Sequence, residues 1–155
     1  MDESLEGLLA ELRQPDEAAR EAATAKLWRR WFEQKGRWGQ EQLERAQAML
    51  DAGNITVAED LLCEAIAQHP DFAEAWNRRA VLYYVVGEYE RSREDCQTVV
   101  RLNPHHFGAW HGLGLCHAAL GDCAAAIEAC RQALALQPYD ITSQRLMLEC
   151  TAQLS

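Results

Sequence analysis

Residues 73–106 read AEAWNRRAVLYYVVGEYERSREDCQTVVRLNPHH, and residues 107–140 read FGAWHGLGLCHAALGDCAAAIEACRQALALQPYD. Laid over one another, the two stretches align Trp76 with Trp110, Gly87 with Gly121 and Pro104 with Pro138, each at an interval of 34 residues. The same step leads backwards to Gly53 and Pro70. Smaller residues keep the register: Ala46, Ala80 and Gly114; Ala58, Ser92 and Ala126; Ala65, Val99 and Ala133. So many series with one period define an internal repeat.

Each series has a physical reading. The stretches on both sides of every glycine carry helical periodicity. Gly53-Asn54, Gly87-Glu88 and Gly121-Asp122 are therefore expected to be tight turns between two helices, where glycine takes positive φ without penalty. Each proline falls just past a second helix and blocks its continuation. The small residues sit mid-helix, where antiparallel helices approach closely, and Trp76, Tyr83, Trp110 and Leu113 fill the space between.

The pattern resembles the tetratricopeptide-repeat family, whose signature is W-x2-L-G-x2-Y, then A-x3-F, then P. One copy here is Trp76, Arg79, Ala80, Tyr83, Ser92, Cys96 and Pro104; the next is Trp110, Leu113, Gly114, His117, Ala126, Cys130 and Pro138. A more degenerate copy is Gln42, Arg45, Ala46, Met49, Ala58, Leu62 and Pro70. Cysteine stands at 96 and 130 where the family has Phe, and Gln42 where it has Trp. The resemblance implies an all-α, right-handed superhelix of three helix pairs, at 39–72, 73–106 and 107–140. Residues 141–155 continue the register as a lone capping helix, with Leu146, Met147, Cys150 and Leu154 forming an apolar stripe.

Residues 1–38 stand outside the repeat. Leu5, Leu8, Leu9 and Leu12 mark a short helix that Pro15 ends, and Asp16 can cap a second helix running to about Lys35. The pair is weakly similar to HEAT repeats and is expected to pack on the first repeat. Lys26, Arg29, Arg30, Lys35 and Arg37 alternate there with Trp28, Trp31, Phe32 and Trp38. Basic residues mixed with aromatics can bind nucleic acid or a membrane surface. The helical spacing of Leu27, Trp28, Trp31 and Lys35 instead turns the aromatics towards the solenoid and the arginines towards water.

Composition limits the function. The formal charge of −9 opposes nucleic acid and anionic membranes as partners. No apolar run is long enough for a membrane span. Met1-Asp2-Glu3-Ser4 lacks the features of a secretory signal, so the expectation is a cytoplasmic chain with its six cysteines reduced. Cys63, Cys96, Cys116, Cys123, Cys130 and Cys150 form no C-x-x-C pair, and His105, His106, His111 and His117 have no metal-site spacing. There is no P-loop and no nucleophile elbow. No metal, cofactor or catalytic activity is expected.

The family resemblance implies a concave groove lined by the first helix of each pair, which holds a peptide or helix of a partner protein. The matching positions are Leu43, Gln47 and Leu50; Glu74, Asn77, Val81 and Tyr84; His111, Leu115 and Ala118; and Arg145 on the capping helix. Family members that grip acidic chaperone tails use a carboxylate clamp of Lys, Asn and Arg. Here Leu43, Gln47, Gly108 and Gly112 occupy matching positions without a cation. A second reading is a structural subunit or assembly factor that associates through the Trp-rich N-terminal helix or the convex face. The chain would be a monomer or a component of a complex.

Overall fold

A computed structural model describes residues 2–155 of the chain, and among them it contains nine α-helices and no strand. They are α1 (Leu5–Glu11), α2 (Glu17–Phe32), α3 (Gly36–Asp51), α4 (Ile55–Gln68), α5 (Ala73–Val85), α6 (Tyr89–Leu102), α7 (Phe107–Ala119), α8 (Cys123–Leu136) and α9 (Ile141–Leu154). From α3 onwards each helix packs on the next, the contact pattern of a solenoid. The three pairs are α3/α4, α5/α6 and α7/α8, and α9 closes the array.

The turns within pairs share one geometry. Gly53, Gly87 and Gly121 have φ of 80°, 83° and 83°, a region that side-chain-bearing residues avoid. In each, the glycine N–H donates to the third residue back: Leu50, Tyr84 and Ala118. The following N–H reaches one residue further, to Met49, Tyr83 and His117. These paired bonds satisfy the last carbonyls of the first helix. Asn54 and Asp122 then accept from Val57 N–H and Ala125 N–H, starting the second helix at once.

The turns between pairs are held by a second recurring bond. Trp76 Nε1 donates to the Pro70 carbonyl at 2.9 Å, and Trp110 Nε1 to the Pro104 carbonyl at 2.8 Å. Gln144 Nε2 makes the equivalent bond to Pro138 at 2.9 Å, so α9 is built as the first helix of a further repeat. The small-residue series mark close approaches. Ser92 Oγ donates to the Ala80 carbonyl at 2.7 Å, and a Cβ on Gly114 would lie 3.1 Å from Cys130 Sγ. Leu146 and Cys150 of α9 are buried against α8, whereas Ile141 and Leu148 are 66% and 71% exposed.

The N-terminal helices reach beyond the first repeat. Helix α2 ends at Phe32, earlier than its periodicity suggests, and Gly36 opens α3 with φ 66°. Lys35 pairs with Asp71 at 2.7 Å, and Gln34 donates to the Asp71 carbonyl. Trp28 and Trp31 pack on His106 and Phe107. Gln137 Nε2 donates to Thr24 at 3.4 Å, and the Arg20 guanidinium lies 4.1 Å from the Tyr139 ring centroid. Helix α2 thus runs along all three inter-repeat loops, 137–140 first and 69–72 last. Leu8, Leu12, Ala23, Leu27, Trp31 and Phe107 form the core beneath it, joined by Leu136 from the end of α8. The arginines do face outwards: Arg29, Arg30 and Arg37 are exposed, while Lys26 pairs with Glu3.

Candidate concave groove

The first helices touch one another down the array, α3 on α5, α5 on α7 and α7 on α9, and the second helices do not pack on each other comparably. Closer spacing of the first helices curves the solenoid so that they line its inner face. This face was expected to be the binding surface, and its members separate into two groups.

Leu43, Glu74 and Asn77 are absorbed into the fold. Leu43 is 1% exposed in the core shared by α3, α4 and α5. Glu74 is fully buried. Its carboxylate accepts from His106 Nε2 at 3.1 Å, from Asn77 Nδ2 at 3.0 Å and from Arg78 Nε at 3.1 Å. Asn77 spends its amide there instead of offering it to a peptide. The cause is His106, which stands where the other repeats have Phe72 and Asp140. Ala109 N–H donates to His106 Nδ1 at 3.0 Å, so in the neutral ring the proton sits on Nε2 and points at Glu74. Burial alone would raise the Glu74 carboxyl. The His106 bond, the Arg78 charge and the Asn77 bond outweigh it and hold the carboxyl below its ordinary value.

The remaining positions reach the surface. Gln47 bonds Asp51 at 2.8 Å and accepts from Arg78 at 3.4 Å, and Leu50 is half-buried beside it. Val81 is 48% exposed, and Tyr84 packs on Tyr89 with ring centroids 5.2 Å apart. Val85, one turn beyond Val81, is 65% exposed. Leu115 and Ala118 are half-buried on the core between α8 and α9. His111 Nδ1 lies 3.0 Å from Ser143 Oγ, and Arg145 is exposed. Burial pushes the His111 imidazole below its ordinary value, against the pull of Asp140.

Sequence periodicity did not reveal that α2 walls one side of this face. A Cβ on Gly108 would meet Trp28 at 2.6 Å, and the Phe32 ring lies 5.8 Å from the Arg78 guanidinium. Trp28 and Phe32 thus cover part of this face near the N-terminal ends of α5 and α7. Towards their C-terminal ends Val81 and Val85 are exposed, and Tyr84, Leu115 and Ala118 are part-buried. The available signals were Gly108 itself and the Trp28–Trp31 spacing. Among the described residues no His, Cys, Asp and Glu side chains converge as a metal site, and no helix is long and apolar enough to cross a membrane.

Known proteins share this architecture. The first repeat domain of Spaghetti (RPAP3), solved with an HSP90 peptide, superposes with a TM-score of 0.71 at 19% identity, over 73% of this chain and 90% of that one. The TPR2B domain of yeast Sti1, solved with an Hsp70 peptide, gives 0.67 at 16% identity, over 74% and 96%. A TPR repeat-containing protein of Rhizobium etli is 36% identical over 102 residues, 66% of this chain and 50% of that protein. The chain therefore spans about half the length of this relative. Human Superkiller complex protein 3 is 30% identical over 69 residues, 44% of this chain and 4% of its own. The tetratricopeptide-repeat family model matches residues 43–101 and 82–141, most of the solenoid, and the chain belongs to that family.

Proposed function

We propose that the chain is a non-catalytic, cytoplasmic scaffold that holds a peptide or helix of a partner protein in the exposed part of its concave groove. The observation that carries this reading is the exposure of Val81 and Val85, 48% and 65%, on a helix otherwise packed on three sides. Adjacent apolar side chains on an ordered inner face form a preformed surface for a partner segment. The peptides held by the Spaghetti and Sti1 domains support the general mode.

Their ligand does not transfer with the fold. The HSP90 peptide of the Spaghetti domain reads SRMEEVD, an acidic tail. Here Gly108 and Gly112 supply no cation, Glu74 brings a buried carboxylate, and Trp28 covers Gly108. A segment with an apolar face suits Val81, Tyr84, Val85 and Leu115 better than a carboxylate-rich tail does.

The test is a quantitative pull-down from native lysate with wild type and a Val81→Asp/Val85→Asp variant, after circular dichroism shows the variant folded. Both side chains are solvent-facing, so a charge there leaves the core alone. Loss of a specific partner supports the groove. Retention of the same partner moves the site to the convex face.

A further inference from the structure

Equivalent positions of the first helices recur along the inner face at the 34-residue step. One row runs Gln47, Val81, Leu115 and Glu149 across α3, α5, α7 and α9. The row one turn further along each helix runs Asp51, Val85, Ala119 and Gln153. Both rows are apolar in the middle and polar at either end, and their two acids stand at opposite ends. Val81, Val85 and Ala119 are exposed and Leu115 is half-buried. Asp51 and Glu149 are exposed as well, and Asp51 accepts from Gln47 at 2.8 Å. Among the described residues no lysine or arginine pairs with either carboxylate. Arg145 stands one turn before Glu149, outside the two rows, and Arg78 is held by Glu74 at 3.1 Å.

The middle of these rows suits a helix better than an extended peptide. An extended backbone laid on valine, leucine and alanine loses water from its N–H and C=O groups and gains no partner there. The amide that could hold such a backbone, Asn77, gives its Nδ2 to Glu74 at 3.0 Å. A helix satisfies its own backbone and meets the face with side chains alone.

We propose that the partner segment is an amphipathic helix with an apolar stripe and a lysine or arginine near each end, one meeting Asp51 and the other Glu149. This rests on the groove reading above and adds the chemistry of its occupant. The stripe covers Val81, Val85 and Leu115, and the two cations answer carboxylates that the fold leaves without a counter-charge. The formal charge of −9 repels a helix with acidic ends and draws in one with basic ends. Neighbouring first helices lie about 8–10 Å apart, so the three steps from α3 to α9 span roughly 25–30 Å. A helix rises about 1.5 Å per residue, so about 17–20 residues reach from one carboxylate to the other.

The test uses fluorescence anisotropy and a labelled 20-residue peptide with leucines at helical spacing on an alanine background and two lysines at each end. A second peptide carries glutamates in place of the lysines, and a third keeps the lysines but has proline at its centre. The full chain should bind the first peptide at least tenfold more tightly than either of the others. Asp51→Lys/Glu149→Lys should weaken that binding about tenfold, since two exposed attractions become repulsions. Asp60→Lys/Glu94→Lys makes the same change in net charge at exposed positions of the second helices α4 and α6, and should stay within twofold of wild type. Circular dichroism checks that the variants are folded. Equal weakening by the two pairs shows attraction to overall charge alone and overturns the proposal. So does tight binding of the glutamate or proline peptide, or no binding of the lysine peptide. If Val81→Asp/Val85→Asp abolishes binding while Asp51→Lys/Glu149→Lys leaves it intact, the groove stands and the basic-ended helix falls.

Discussion

Trp31 stacks on His106, ring centroids 4.4 Å apart with 19° between the planes, and so ties the N-terminal helices to the junction of the second and third repeats. His106 serves three elements at once: it caps α7 through Ala109 N–H, donates to Glu74 of α5 and underlies Trp31 of α2. Trp31→Ala is expected to cost about 3–5 kcal/mol, the range for deleting a buried aromatic. His106→Ala should cost about 2–3 kcal/mol, because the fully buried Glu74 carboxylate loses its strongest partner. Urea unfolding of both variants, followed by circular dichroism, checks the two figures.

Gly108 leaves the space that the Trp28 ring fills. A Cβ there would lie 2.6 Å and 2.9 Å from two ring carbons, so Gly108→Ala must displace the ring. The expected cost is about 1–3 kcal/mol. Hydrogen exchange should accelerate in α2 and leave α8 unchanged. Combining Gly108→Ala with Trp28→Ala should cost less than the sum of the single changes, since the second removes the clash made by the first. Additive costs would show that Trp28 does not sit on Gly108.

These two contacts show where sequence reading stopped. A repeat pattern reports what each helix does to its neighbours, and 34-residue periodicity therefore placed the turns at Gly53, Gly87 and Gly121. The course of α2 is not periodic. It depends on His106 and Gly108, which break the register, and their meaning is tertiary. The groove shows the same limit. Helical spacing puts Val81 and Tyr84 on one face with Asn77 and Glu74, but it could not tell that His106 draws the last two inward.

Stability should fall in two steps as the solution is acidified. His111 has its folded pKa depressed below 6.5, so its neutral form is favoured by the fold. Its contribution is complete above 6.5 and fades as pH drops through the lower folded value. Glu74 also has a depressed folded pKa, below 4.5. The unfolded chain takes up that proton first, so stability is lost as pH falls from 4.5 through the folded value. Glu74→Gln should shrink the lower step, which Asp140 shares, and His111→Asn the upper one, which His117 shares. Thermal unfolding between neutral pH and mild acid measures both, and a Glu74→Gln curve parallel to wild type would discount the His106 pairing.

Arg79 occupies the position where the family signature has Leu and where the third repeat has Leu113, and its charge is answered within the same pair of helices. Nε and Nη2 bind the two carboxylate oxygens of Asp95 at 2.8 Å and 2.9 Å, with the Asp95 side chain 5% exposed. The third repeat has Leu113 and Ala129 at these places, so one packing site is filled by an ion pair and the other by apolar atoms. Arg79→Ala is expected to cost about 3–5 kcal/mol, because a buried carboxylate is left without its partner. Arg79→Lys keeps the charge but loses the two-pronged geometry, and about 1–2 kcal/mol should follow. Replacing both residues, Arg79→Leu with Asp95→Ala, copies the third repeat and should be milder than Arg79→Ala alone. If the double variant proves the less stable of the two, the ion pair is more than a substitute for apolar packing.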